Sequence, residues 1–113
     1  MTEAELEAIA GSPSTHLLLA SHGDEVAGML TLAVVRIPTG VRAHIEDVVV
    51  ESRWRGEGVG RMLVQAALEL ARTLGAKTVD LTSRPSRVAA HALYQSVGFE
   101  IRDTNVYRYQ WEE

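Results

Sequence analysis

The sequence predicts one α/β (α+β) domain spanning residues 1–113, and three observations carry that prediction. Helix-patterned and strand-patterned segments alternate as helix–β–β–β–helix–β–helix–β–β, an order that fits neither an all-helical nor an all-β fold. A Gly-rich turn, Arg53-Trp54-Arg55-Gly56-Glu57-Gly58-Val59-Gly60-Arg61, joins the apolar run His44 to Val50 to the best-patterned helix of the chain. A length of 113 residues builds one core but not two, and no linker, repeat or low-complexity stretch divides it.

Each element has its own signal. Thr2-x-x-Glu5 reads as a capping box ahead of Leu6, Ile9 and Ala10, predicting a short helix stopped by Gly11 and Pro13. His16 to Ala20 reads as a strand, and the polar turn Ser21-His22-Gly23-Asp24 leads into a longer one, Glu25 to Arg36. Pro38 and Gly40 break the chain before a strand over Arg42 to Val50. Leu63, Ala67, Leu70 and Leu74 then form one helical stripe, opposite Arg61, Gln65, Glu69 and Arg72, and Gly75 ends that helix. Thr78 to Thr82 reads as a strand and Ser86 to Val97 as a helix. Phe99 to Asp103 and Val106 to Trp111 read as a closing hairpin over Thr104-Asn105.

Composition narrows the functional classes. The formal net charge of −4 argues against nucleic acid as a partner, although ten of the eleven basic residues are arginines. Five of those arginines (53, 55, 61, 84 and 87) cluster in two short regions. No apolar run approaches membrane-spanning length, and the first residues lack a signal-peptide pattern. With no cysteine there is no disulfide and no thiolate chemistry, which predicts a cytoplasmic setting.

The Gly-rich turn is the first of the chemical signals. A turn between strand and helix leaves backbone N–H groups bare at the positive end of the helix dipole, a ready anion site. Gly58 and Gly60 present no side chain to hold a phosphate off the backbone, and Arg53, Arg55 and Arg61 add charge. The spacing excludes two common phosphate loops. A Walker loop needs Gly-Lys-Ser/Thr where Gly60-Arg61-Met62 stands, and a dinucleotide fingerprint would need its third glycine one position later. The spacing that fits is Arg55-x-x-Gly58-x-Gly60, which resembles the acetyl-CoA loop, Gln/Arg-x-x-Gly-x-Gly/Ala, of the GNAT superfamily of N-acetyltransferases.

A second segment strengthens that resemblance. Leu93-Tyr94-Gln95-Ser96-Val97-Gly98-Phe99 is similar to the family's Leu-Tyr-x-x-x-Gly-Phe, in which a helix ends at the glycine and a strand begins after it. The two motifs stand in the family's order, and the order of elements resembles the GNAT acyl-CoA N-acyltransferase fold over nearly the whole chain. That fold is a central mixed, mostly antiparallel sheet flanked by helices. The chain departs from it at the start, where the expected short helix stands in place of the usual first strand and helix. The edge thus left bare predicts a homodimer.

The resemblance implies site residues one by one. The pantetheine arm of acetyl-CoA would lie along Val48-Val49-Val50, and its pyrophosphate would meet the amides of Gly56, Glu57, Gly58, Val59, Gly60 and Arg61, with Arg55 beside them. Tyr94 stands where the family places its general acid, and a phenol suffices because the leaving thiolate is strongly basic; the alternative is that Tyr94 only contacts the cofactor. Arg87 replaces the family's usual Asn seven residues before the Tyr, where it would reach a phosphate or point to solvent. The general base is left between alternatives. Glu46 and Asp47 are carboxylates on an apolar strand, where burial is costly without a purpose, and simple alternation sets them on opposite faces. The resemblance favours Glu46, directly or through a water; the competing reading pairs it with an arginine such as Arg42. His44, on Glu46's face, is a lesser candidate, and His91 reads as a surface or packing residue. Thr82 occupies a position where some ribosomal-protein acetyltransferases carry a glutamate base.

Together these readings predict transfer of the acetyl group of acetyl-CoA to a primary amine by direct attack in a ternary complex. No cysteine exists to carry an acetyl group, and no metal is implied. The acceptor is a small-molecule amine or a protein amine, with no nucleic acid and no membrane involved. The alternative is a non-catalytic acyl-CoA-binding module that keeps the Gly loop without an acceptor site.

Overall fold

A computed structural model of the chain describes residues 5–10, 14–83 and 88–112. Five strands form one sheet in the order β1-β2-β3-β4-β5: β1 Glu5–Ala10, β2 Thr15–His22, β3 Glu25–Ile37, β4 Gly40–Val50 and β5 Thr78–Leu81. The first three pairings are antiparallel and the last, β4 with β5, is parallel. A parallel pair needs a crossover, and helix α1, Val59–Thr73, supplies it. Helix α2, Val88–Val97, follows β5. This is the mixed, mostly antiparallel sheet with helices that the sequence predicts.

One sheet face and one helix face make the core. Leu18 and Ala20 of β2, Ala27, Leu30, Leu32 and Val34 of β3, and Ala43 and Ile45 of β4 are buried against Val59, Leu63, Val64, Ala67 and Ala71 of α1. Leu70 and Leu74, expected in the helical stripe, are only partly buried, and Arg61, Gln65, Glu69 and Arg72 lie on the exposed side as expected. Gly28 makes the close approach possible. A Cβ there would sit 2.8 Å from the Val49 carbonyl oxygen and 3.1 Å from both Leu63 and Val59, so α1 could not seat as it does over any larger residue. None of the described helices is long and apolar enough to cross a membrane.

Two expected elements are replaced. The helix expected over Thr2 to Ala10 is absent from the described part of that segment, because Glu5–Ala10 is a strand running antiparallel to β2 from Glu5↔Ser21 to Ala10↔His16. An isolated helix of two turns is marginal, whereas six residues beside a strand edge gain a full ladder. The edge of β2 is therefore covered rather than bare. The hairpin expected over Phe99 to Trp111 also does not form. The Phe99 amide donates to the Tyr94 carbonyl (3.0 Å) and closes α2, after which residues 100–112 run exposed with no assigned strand. The strand pattern of this segment meets no partner strand among the described residues.

Candidate active site

The site begins with an irregularity in β4. Thr31 pairs with Asp47 and Leu32 with Ile45, so Glu46 is the extra residue of a β-bulge. Before it Ala43 and Ile45 face the core; after it Val48 and Val50 are the partly buried residues, and Asp47 and Val49 are exposed. The alternation expected to separate Glu46 from Asp47 is thus broken at that point, and both carboxylates are exposed. His44 Nε2 stands 4.0 Å from Glu46 Oε1, whereas Arg42 forms no ion pair with Glu46.

The bulge coincides with the end of the parallel ladder. β4 pairs with β5 only from Arg42↔Thr78 to Ile45↔Leu81. Beyond Ile45, β4 keeps β3 on one side while its other edge borders an open cleft. The cleft, about 1410 Å³, exceeds the roughly 300–1,000 Å³ typical of a single small-ligand pocket. It is lined by Ile45 to Val50 on one wall, and by Arg55, Gly56, Gly58, Val59, Gly60 and Arg61 at the mouth. Leu81, Thr82, Ser83, Leu93 and Tyr94 form the opposite wall. All the expected site residues meet here except Glu57, which does not line the cleft, and Arg87, which lies outside the described residues.

The mouth is open to the backbone of the glycine loop. Gly58, at φ +80°, is the N-cap of α1, and Gly56 has the same positive φ; a Cβ on either would project into open space in the cleft mouth. The Arg55 and Glu57 amides are spent on turns to Ser52 and Trp54, but the first-turn amides of α1 have no carbonyl one turn back to bond. The loop is pinned from below by Trp54, 7% exposed, whose ring lies 5.4 Å from that of His22. The three arginines have separate partners. Arg53 pairs with Glu25 at 2.9 Å, away from the cleft; Arg55 Nε donates to the Val50 carbonyl at 3.3 Å; and Arg61 donates to Ser96 Oγ at 2.5 Å.

That last bond ties α1 to α2, and the helices also touch where Gly60 faces Leu93. Tyr94 is partly buried and packs edge-on to Phe99, with ring centroids 6.0 Å apart. His91 lies on the other side of α2 and does not line the cleft. Among the described residues no three His, Asp or Glu side chains gather as a metal site would require. Gly28, Trp54 and the Arg61–Ser96 bond are the parts that motif reading misses. Trp54, a large apolar residue inside a charged loop, is the one of them with a visible signal.

A mixed sheet that parts at a bulge, with a glycine-capped helix at the mouth of the gap, is the architecture of the GNAT fold. The chain belongs to the acetyltransferase (GNAT) family, whose pattern matches residues 2–99. It is 32% identical over 101 residues to the L-amino acid N-acetyltransferase AaaT of Escherichia coli, covering 87% of this chain and 61% of that one. It is 35% identical over 80 residues to the N-acetyltransferase YvbK of Bacillus subtilis, covering 71% of this chain and 50% of that one. Among solved structures, a transcriptional regulator from Bacillus halodurans superposes with a TM-score of 0.81 at 30% identity, over 88% of this chain and 68% of that one. The chain thus spans about half to two thirds of the length of these relatives.

Proposed function

We propose that this domain transfers an acetyl group from acetyl-CoA to a primary amine by direct attack within a ternary complex. The observation that carries the reading is the meeting of Glu46, the bare edge of β4, the glycine loop and Tyr94 around one cleft. The vacant Cβ positions of Gly56 and Gly58 fit a phosphate drawn down onto backbone amides. Acetyl-CoA, when bound, supplies the thioester carbonyl and the thiolate leaving group.

The protein's part follows from its residues. The first-turn amides of α1 hold the pyrophosphate, and the edge of β4 from Val48 to Val50 pairs with the amide-bearing arm as a further strand would. Held this way, the thioester would be oriented by the two walls, with Glu46 on one and Tyr94 on the other. Glu46 accepts a proton from the acceptor amine, directly or through a water, with His44 beside it. Tyr94 donates its phenolic proton to the departing sulfur.

Binding and chemistry are separable. Calorimetric titration with acetyl-CoA should give a well-defined affinity for the native chain and none for Gly58→Glu, which places a carboxylate where a phosphate would sit. Tyr94→Phe should bind acetyl-CoA normally and lose about 100-fold in kcat, at the low end of the range for removal of a general acid. Normal binding with no turnover of any amine by the native chain would instead leave a non-catalytic acyl-CoA-binding module.

A further inference from the structure

The first turn of α1 carries a charge that its own helix disfavours. Arg61 is the third residue of α1, and that turn holds no acidic side chain. A cation there sits against the positive end of the helix dipole, where anions are favoured. Helix α2 has the complementary lack, since its last turn holds no basic side chain to answer its negative end. One contact answers both. Arg61 Nη2 reaches across and donates to Ser96 Oγ, in the last turn of α2, at 2.5 Å. Ser96 spends its own hydroxyl proton on the Leu93 carbonyl at 2.7 Å, so its oxygen meets Arg61 as an acceptor.

We propose that Ser96 is a positioning residue: by holding Arg61 it fixes the rotation of α2, and with it the aim of Tyr94, when a phosphate occupies the cleft mouth. This rests on the reading of the cleft as an acetyl-CoA site with Tyr94 as its acid. Helix α2 meets α1 at two points on one face. Leu93 lies over Gly60, where a Cβ would come within 3.3 Å of it, and Ser96, three residues on, takes Arg61. One point of contact is a pivot, whereas two stop the helix from turning. Tyr94 follows Leu93, about 100° further round the helix, and lines the cleft. No residue of α2 is buried, so its attachment to α1 carries much of this constraint. Of the three loop arginines, Arg53 pairs with Glu25 and Arg55 with the Val50 carbonyl, both on core strands; Arg61 is the one that spans the two walls. A guanidinium has five N–H donors and Ser96 takes one of Arg61's, which leaves others for a phosphate at the mouth that Arg61 lines. A phosphate that immobilises Arg61 therefore also immobilises α2 through Ser96.

Amide exchange and kinetics of the native chain, Ser96→Ala and Ser96→Thr test this directly. Ser96→Ala removes an acceptor but no charge, and the bond is exposed, so acetyl-CoA affinity should stay within about fivefold of native. Acetyl-CoA should slow exchange across Val88–Val97 in the native chain and in Ser96→Thr, which keeps the hydroxyl. In Ser96→Ala it should protect the first turn of α1 and leave α2 as in the free protein. With an acceptor amine, kcat should fall about tenfold in Ser96→Ala at a near-native KM for acetyl-CoA, and recover in Ser96→Thr. Equal protection of α2 in Ser96→Ala and the native chain overturns the inference and leaves the proposed activity standing. So does an equal loss in Ser96→Thr, which would mark a packing role for the side chain. A native chain that binds no acetyl-CoA removes the reading of the cleft itself, and this inference with it. The exchange measurement needs no turnover, so it separates the two.

Discussion

At the scale of single residues, the most constrained position is one that carries no chemistry. Gly28 sits under Val59 and Leu63 and against the backbone of Val49, so even a methyl group must push the start of α1 away from β4. Gly28→Ala is expected to cost about 1–3 kcal/mol, as overpacking does, and to lower Tm by several degrees, since about 1 kcal/mol shifts a domain of this size by roughly 4–8 °C. Because the displaced parts are the glycine loop and the strand edge beside it, acetyl-CoA affinity should fall as well. A variant with native Tm would show that α1 is not held at that point. In the sequence Gly28 is only a position inside the strand expected over Glu25 to Arg36, with no hint of what lies over it, since the contact joins positions far apart in the chain. Gly58 and Gly60 are legible because a local turn and a motif require them.

Among elements, α1 and β4 are the ones the sequence describes best, because their signals are periodic and local. The polar side of α1 and the strand ending at Val50 match their expected places. The bulge at Glu46 is not legible: the run His44 to Val50 looks continuous, and the inserted residue shows only in the pairing with β3. The first and last segments are misread for a shared reason. Both carry local patterns, a capping box and a strand alternation, whose outcome depends on whether a neighbouring strand is present. For α1 the expectation is firm. Leu63 is fully buried, and Leu63→Ala should cost about 2–5 kcal/mol in chemical denaturation. The Arg61–Ser96 bond at the other side of the helix is exposed, so Ser96→Ala should change stability by less than about 1 kcal/mol.

Across the whole molecule, the described core is distributed unevenly. Every buried hydrophobic residue lies in β2, β3, β4, α1 or at Trp54, and none of the described residues of β5 or α2 is buried. The cleft therefore has one wall fixed to the core and one, carrying Tyr94, held by partly buried contacts and the Arg61–Ser96 bond. Units with few buried apolar contacts open at lower free energy than the core they adjoin. Amide exchange should thus be faster across Val88–Val97 than across β3 and α1. A ligand that bridges the two walls should slow α2 selectively, because stabilisation by binding reaches about 2.7 kcal/mol at a hundredfold excess over Kd and is felt where opening breaks the site. Acetyl-CoA should protect α2 and the first turn of α1 while leaving β3 unchanged. Protection confined to the glycine loop would mean that the cofactor touches only one wall, and that the second wall, with Tyr94, does not close on it.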